Sequence, residues 1–239
     1  MTLKMRTGKT NKDDTYQMIE EFKFEIVNHK ILCSGPTVTG HTIGQCLLSL
    51  DNKHCYVNVP KNASSSLKAF FKDWQPSNFQ FLNNDITKLV ILRDPTERWI
   101  SAVCEFLAGS QGIPNNQSIN SNDLRALLQN DLIKNWIFHT IYLDAHSLPQ
   151  CYYLQGLDLT KIVFFYQDDS LVEKISNFLN FQVDTSYDFK NNTSTDNKNK
   201  IIIKKWLVDL LENNVDLKKN IDISYWADHQ MFDQITFQG

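Results

Sequence analysis

One turn in this sequence combines residue types that bind anions. In residues 56–67 (YVNVPKNASSSL) a β-rich run stops at Pro60, small residues follow, and a helix is predicted to begin. A strand–turn–helix unit directs free backbone N–H groups toward the helix start, where they bind anions. Ala63 and the three serines after it let a phosphate approach closely, and Lys61 adds a positive charge. We therefore predict a phosphate-binding turn; the alternative is a serine that caps the helix beside a surface lysine.

A second strand–turn–helix unit follows at residues 89–101 (LVILRDPTERWIS). Arg93 stands at the carboxyl end of its predicted strand, where open α/β sheets bind ligands. Ser101 lies about one and a half turns into the predicted helix. An arginine and a hydroxyl at these positions can hold a second phosphate, with the arginine bidentate. The alternative is that Asp94 caps the helix and Arg93 pairs with a carboxylate.

The elements around these turns alternate between strand and helix. Apolar runs and alternating apolar residues predict strands, and apolar residues at helical spacing predict helices. Alternation of this kind indicates βαβ units, so we expect an α/β fold with a central, mainly parallel sheet flanked by helices. Polar loops are expected at 109–122 and 184–197. The predicted strands are 22–27, 55–59, 88–92 and 162–166, and the predicted helices are 64–74, 96–107, 123–143, 170–179, 200–211 and 223–235.

Composition narrows the class of protein. With 239 residues, 42% hydrophobic and 21% charged, the chain is typical of an ordinary globular domain. Its formal net charge of −3 provides no field that favours nucleic acid or an anionic membrane. The five cysteines form no Cys-x-x-Cys pair, so neither a disulfide framework nor a zinc site is expected. We expect a flexible lead-in at 1–20, a single domain at 21–239 and a cytoplasmic location, since no apolar signal core or membrane-spanning run is present.

Together the two turns resemble the nucleotide site of the sulfotransferases that use PAPS (3′-phosphoadenosine 5′-phosphosulfate), and especially the carbohydrate sulfotransferase branch. In that family a Pro-Lys-x-x-Ser/Thr turn binds the 5′-phosphosulfate, and an Arg-Asp-Pro-x-x-Arg-x-x-Ser segment binds the 3′-phosphate. The resemblance covers residues 56–232 and implies a P-loop-like three-layer sandwich, PAPS as the co-substrate and no metal. The matching residues are Pro60, Lys61, Asn62, Ala63, Ser64, Ser65 and Ser66 in the first segment and Arg93, Asp94, Pro95, Arg98 and Ser101 in the second.

Three later stretches are also similar to this family. Residues 144–151 (DAHSLPQC) resemble its His-x-x-Pro-Gln segment. Residues 162–171 resemble its following strand, although Gln167 stands where an acidic residue is usual. Asn192–Ser194 resembles a late Asn-x-Ser loop near the nucleotide.

The resemblance implies in-line transfer of a sulfuryl group from PAPS to an acceptor hydroxyl, which a saccharide would supply. Lys61 suits the cation on the leaving phosphate, because charge builds there during transfer. His146 is the first candidate for the base that takes the acceptor proton, since neutral imidazole accepts protons near pH 7. Glu105 is the second candidate, and Asp144 and His139 follow.

Two other functions remain open on the sequence. A P-loop-like kinase is disfavoured by the missing Gly-x-x-x-x-Gly-Lys-Ser/Thr pattern and by the lack of a clear magnesium-binding aspartate. A non-catalytic nucleotide-binding protein on a sulfotransferase scaffold is the other alternative, because a fold does not fix a function. Retention of Lys61, Arg93, Ser101 and His146 favours activity.

The paired turns predict that the nucleotide binds through both of its phosphates. The desulfated product, 3′-phosphoadenosine 5′-phosphate (PAP), should therefore raise the melting temperature more than AMP does at the same concentration, because tighter binding to the folded state stabilises it by mass action. A thermal-shift titration measures both. Equal shifts for PAP and AMP would count against a 3′-phosphate site.

Overall fold

The computed structural model of this chain describes residues 23–34, 43–108, 119–129, 131–135, 137–138, 146–180 and 198–238. The lead-in predicted at 1–20 and the polar segment predicted at 184–197 lie outside these ranges, as do Phe22 and most of the loop predicted at 109–122. Two of the candidate bases, His139 and Asp144, also lie outside them. Within the described ranges, no helix has the length and apolar character needed to cross a lipid bilayer.

Strands and helices follow one another along the described chain. The strands are β1 Lys23–Val27, β2 Lys30–Ser34, β3 Gln45–Leu48, β4 His54–Val57, β5 Gln75–Asn78, β6 Thr87–Leu92 and β7 Ile162–Tyr166. The helices are α1 Ser64–Phe70, α2 Pro95–Ala108, α3 Ser121–Leu127, α4 Asp131–Asn135, α5 Gln150–Tyr153, α6 Leu171–Leu179, α7 Lys198–Glu212, α8 Val215–Ser224 and α9 Trp226–Phe232.

The α/β class is confirmed, but the central sheet is mixed rather than mainly parallel. Its five strands have the order β5-β3-β4-β6-β7. The β4–β6 and β6–β7 pairs are parallel, whereas β3 runs antiparallel to both β4 and β5. The short turn between β3 and β4 explains the difference, because neighbouring strands joined by a few residues form a hairpin and parallel neighbours need a longer crossover.

Strand β6, which lies between β4 and β7, is buried on both faces of the sheet. Leu89 and Ile91 pack on one face with residues of α1 and α6. Val90 and Leu92 pack on the other face with residues of α2, α7, α8 and α9. Successive side chains of a strand point to opposite faces, so a continuous apolar run is what helices on both sides require.

A separate hairpin of β1 and β2 packs against α9 and α5. Its two-residue turn, Asn28 and His29, has positive φ at both positions, as a type I′ turn requires. The hairpin is attached to the segment before β7, where the N–H of Leu159 donates to the carbonyl of His29 and the N–H of Gly156 to that of Ile31.

Several predicted helix boundaries are wrong. The helix predicted at 64–74 ends at Phe70, the helix predicted at 223–235 is the shorter α9, and α8 (Val215–Ser224) was not predicted. Part of the loop predicted at 109–122 is helical, because Asn120 and Asp123 form a capping box that starts α3 at Ser121. By contrast, α2, α6, α7 and β7 lie within three residues of their predicted bounds.

Candidate functional site

The two segments predicted to bind anions lie at one edge of the sheet. The first follows β4 and the second follows β6, and these strands are parallel neighbours with Val57 opposite Val90. The carboxyl ends of parallel neighbours meet at the same edge, which is where open α/β sheets bind ligands. The turn after β4 and the turn after β6 are therefore side by side.

The first turn has an unusual backbone. Lys61 and Ala63 have φ of 69° and 54°, in the left-handed region that costs a non-glycine residue roughly 1–2 kcal/mol. Ala63 occupies the N-cap position of α1 without a side-chain cap, so a serine cap is not what the structure has. Ser64, Ser65 and Ser66 form the first turn of α1 instead. A left-handed residue within such a turn curls successive N–H groups around a concavity that accepts anions.

Asn62 fastens this turn to the interior. Its side chain is fully buried, and its Nδ2 donates to the carbonyl of Ile91 at 2.8 Å and to Oε1 of Gln150 at 2.5 Å. The side chain is thereby committed beneath the turn. Any contact that Asn62 makes with a ligand falls to its backbone.

Gln150 joins the two turns to each other. Its Oε1, which accepts from Asn62, also accepts from the N–H of Arg93 at 2.9 Å, and its Nε2 donates to the carbonyl of Arg93 at 2.8 Å. A primary amide thus pairs with the backbone of one residue in both directions. The Pro-Gln part of the sequence motif at 144–151 therefore holds the Arg93 turn in register with the Lys61 turn.

A buried acid and a buried arginine support this junction. Asp228 of α9 accepts from the N–H groups of Gln150 and Cys151, both at 2.9 Å. Arg98 of α2 donates from Nε to the carbonyl of Pro60 at 3.2 Å and from Nη1 to that of Leu148. Both side chains are fully buried. Burial raises the pKa of Asp228, while the charge of Arg98 and the two N–H donors oppose that rise.

Arg93 and its neighbours have the arrangement given above as the alternative. Asp94 caps α2, since its Oδ1 accepts from the N–H of Glu97 at 2.9 Å. Arg93 donates from Nε to Oε2 of Glu97 at 3.1 Å. The Glu97 side chain is 60% exposed, and exposed ion pairs contribute only about 0–1 kcal/mol, so a phosphate can replace this partner at little cost.

One face of α2 leads from the second turn to the first. Glu97, Ser101 and Glu105 are spaced by four residues, which places them along one side of a helix. Ser101 is half-buried, and most of the residues between these three are in the core. At the far end of this face, Glu105 Oε2 lies 3.3 Å from Lys61 Nζ.

Lys200 of α7 contacts the same carboxylate. Its Nζ donates to Glu105 Oε2 at 2.7 Å. Burial acts to raise the pKa of Glu105, but the hydrogen bond from Lys200 and the charges of both lysines outweigh it, and the pKa lies below its usual range. Glu105 is therefore an anion at neutral pH, and its contribution to stability is lost only as the pH falls through that lowered pKa.

His146 begins a segment that is fixed under the first turn. The residue is half-buried, and its neighbours are held by the hydroxyl of Tyr225, which donates to the carbonyl of Ser147, and by Arg98, which donates to that of Leu148. The segment that carries His146 is thus tied through Arg98 to Pro60, the residue before Lys61.

Three residues of this site were not found from the sequence. Gln150 was recognised only as part of a motif, and Lys200 only as the start of an amphipathic helix. Asp228 gives one usable signal, because an acid stands three residues from Tyr225 and three from Met231, on the face that both bury. Two aromatic side chains have packing roles: the rings of Trp74 and Phe71 lie tilted with centroids 4.3 Å apart, and Tyr152 is buried against Tyr153.

Metal-binding clusters and surface hollows are the other kinds of site that the described chain could offer. Across the ranges that the structure covers, no three His, Cys, Asp or Glu side chains are grouped to hold a metal ion. A surface hollow lies at the amino ends of β4 and β6, at the edge opposite both turns. We assign it no role.

Asp228→Ala should destabilise the protein by about 3 kcal/mol, because it leaves two buried N–H donors unsatisfied at roughly 1–3 kcal/mol each. Urea unfolding at neutral pH measures the loss. The control is Asp222→Ala on α8, whose contact with His229 is long (3.9 Å) and half-exposed, and which should change stability by less than about 0.5 kcal/mol. Equal effects of the two substitutions would show that Asp228 does not support the junction.

Comparisons with known proteins do not extend this description. Searches against protein-family models, curated proteins and solved structures each found no match to the chain. The chemistry of the site must therefore be inferred from the positions of its own residues.

Proposed function

We propose that this chain is a PAPS-dependent sulfotransferase that transfers a sulfuryl group to an acceptor hydroxyl, with the sheet and helices forming a P-loop-like three-layer sandwich. One observation carries the proposal: the two turns that resemble the 5′-phosphosulfate and 3′-phosphate sites lie side by side and are bound to one glutamine, Gln150. A nucleotide with phosphates at both the 5′ and 3′ positions needs two anion sites at a fixed separation. A shared buried anchor supplies that fixed separation.

The chain's own residues divide the work of binding and transfer. Lys61, Ser64, Ser65 and Ser66, with the N–H groups of residues 61–66, bind the phosphosulfate, and Arg93 and Ser101 bind the 3′-phosphate. The acceptor oxygen attacks sulfur in line, the bond from sulfur to the 5′-phosphate oxygen breaks, and the acceptor proton passes to a base. The products are a sulfate ester and PAP. Lys61 stabilises the charge that builds on the leaving phosphate.

His146 is the better base of the two described candidates. Glu105 already contacts two lysines, and the lowered pKa that they produce makes its carboxylate a weaker proton acceptor. Histidine is the side chain that most often serves as a general base in enzymes. We therefore assign proton transfer to His146 and treat Glu105 as the counter-ion of Lys61.

A non-catalytic nucleotide-binding protein is the second candidate. The observation that favours it is the ion pair between Arg93 and Glu97, in which a carboxylate of the chain itself takes the place assigned to the 3′-phosphate. Transfer of the sulfuryl group to an acceptor distinguishes an enzyme from a nucleotide-binding protein. If the chain is an enzyme, incubation with ³⁵S-labelled PAPS and a panel of saccharide and phenolic hydroxyls should form PAP and label an acceptor. If the chain binds PAP but forms no PAP from PAPS with any acceptor of the panel, the second candidate is supported.

Lys61→Ala should reduce the rate of transfer far more than the affinity for PAP, because the lysine acts mainly on charge that develops in the transition state. Calorimetry with PAP and the rate of PAP release measure the two quantities. The matched control is Lys68→Ala, an exposed lysine on α1, which should change neither. Lost affinity with an unchanged rate would contradict the role given to Lys61.

His146→Ala should lower the rate of transfer on the order of a hundredfold while PAP affinity and melting temperature stay near those of the wild type. Glu105→Gln should lower the rate by less than about tenfold, since it removes a counter-ion and not the base. Both rates are measured with the acceptor found in the panel. A larger loss in Glu105→Gln than in His146→Ala would move the base to Glu105.

A further inference from the structure

Two lysines from distant parts of the chain share one carboxylate. Glu105 Oε2 lies 3.3 Å from Lys61 Nζ and 2.7 Å from Lys200 Nζ. The two lysine side chains are largely buried, at 16% and 19% exposure, whereas that of Glu105 is 43% exposed. The group as a whole carries one excess positive charge.

The first turn of α7 is fixed at this position. The thiol of Cys104, the residue before Glu105, donates to the carbonyl of Lys200 at 3.3 Å. The buried side chain of Asn199 accepts from the N–H of Ile119 at 3.3 Å. The first contact holds the backbone of α7 against α2, and the second ties α7 to the segment just before α3, so Lys200 is kept beside Glu105.

An anion that enters the first turn competes with Glu105 for Lys61. If Glu105 had no other partner, moving Lys61 to the anion would leave a half-buried carboxylate unpaired close to a second negative charge, and both effects would weaken binding. Lys200 removes this penalty, since it stays on the carboxylate when Lys61 leaves.

We propose that Lys200 is a positioning residue for the anion site: it holds Glu105, the shared counter-ion, so that Lys61 can exchange the carboxylate for the phosphosulfate. Only the identity of the anion rests on the proposed function. The exchange itself depends on the two contacts to Glu105 and applies to any phosphate or sulfate group bound at Lys61.

The test is a double-mutant cycle on anion binding, with PAP and inorganic pyrophosphate as the two probes, measured by calorimetry. Lys200→Met should weaken binding of both probes about tenfold, and Glu105→Gln should tighten it severalfold because a competing carboxylate is gone. In the Glu105→Gln background, Lys200→Met should change affinity by less than about threefold. Lys200→Arg should restore most of the affinity, and Lys205→Met, an exposed lysine on the same helix, should bind as the wild type does.

Each outcome decides the proposal. The same tenfold loss from Lys200→Met in both backgrounds would overturn it, because Lys200 would then contact the anion directly. If the coupling is seen with pyrophosphate but PAP binds the wild type no more tightly than pyrophosphate does, the role of Lys200 is sustained and the PAPS site is refuted. Failure of the folded wild type to bind either probe would refute both. Circular dichroism of Lys200→Met, and restored binding in Lys200→Arg, separate lost positioning from lost folding.

Discussion

The candidate site depends on one buried side-chain amide. Gln150 bonds to Asn62 under the first turn and to both backbone polar groups of Arg93 in the second. The strands bring these turns to one edge of the sheet, but strands alone leave the loops beyond them free to separate. A fully buried amide with every partner inside the protein fixes their spacing, because breaking any of its bonds would leave an unsatisfied polar group in the core.

The charged residues of this region fall into a fully buried group and a group nearer the surface. Asp228 and Arg98 are fully buried, and their backbone partners are Pro60 of the first turn and Leu148, Gln150 and Cys151 of the segment that carries Gln150. Lys61, Glu105 and Lys200 lie nearer the surface and act on one another. The two deep residues fix backbone geometry, whereas the carboxylate shared by the outer group is 43% exposed and therefore partly hydrated.

Local signals determined what could be predicted from the sequence. The apolar run of β6 and the amphipathic pattern of α2 are contained in a few neighbouring residues, and both elements were found nearly at their bounds. β3 and β5 were missed because each is only four residues long, and the polar β5 (QPSN) becomes a strand only by pairing with β3, about 30 residues earlier. The same distinction holds within the site. Lys61 and Arg93 stand in recognisable turns. Lys200 contributes through a contact that no local pattern encodes, and the only local signal of Asp228 is that an acid lies on a buried helix face.

The use of Asp228 and Gln150 has a consequence for the order of folding. Residues 43–108 contain both turns and all the strands of the main sheet except β7, yet the groups that lock the turns together come from much later in the sequence. Contacts between residues so far apart form late, because the intervening chain must first be ordered. During synthesis the two turns would therefore exist before the clamp that aligns them. A fragment that keeps both motifs but ends before α5 would retain the recognisable sequence without the preorganised geometry of the candidate site.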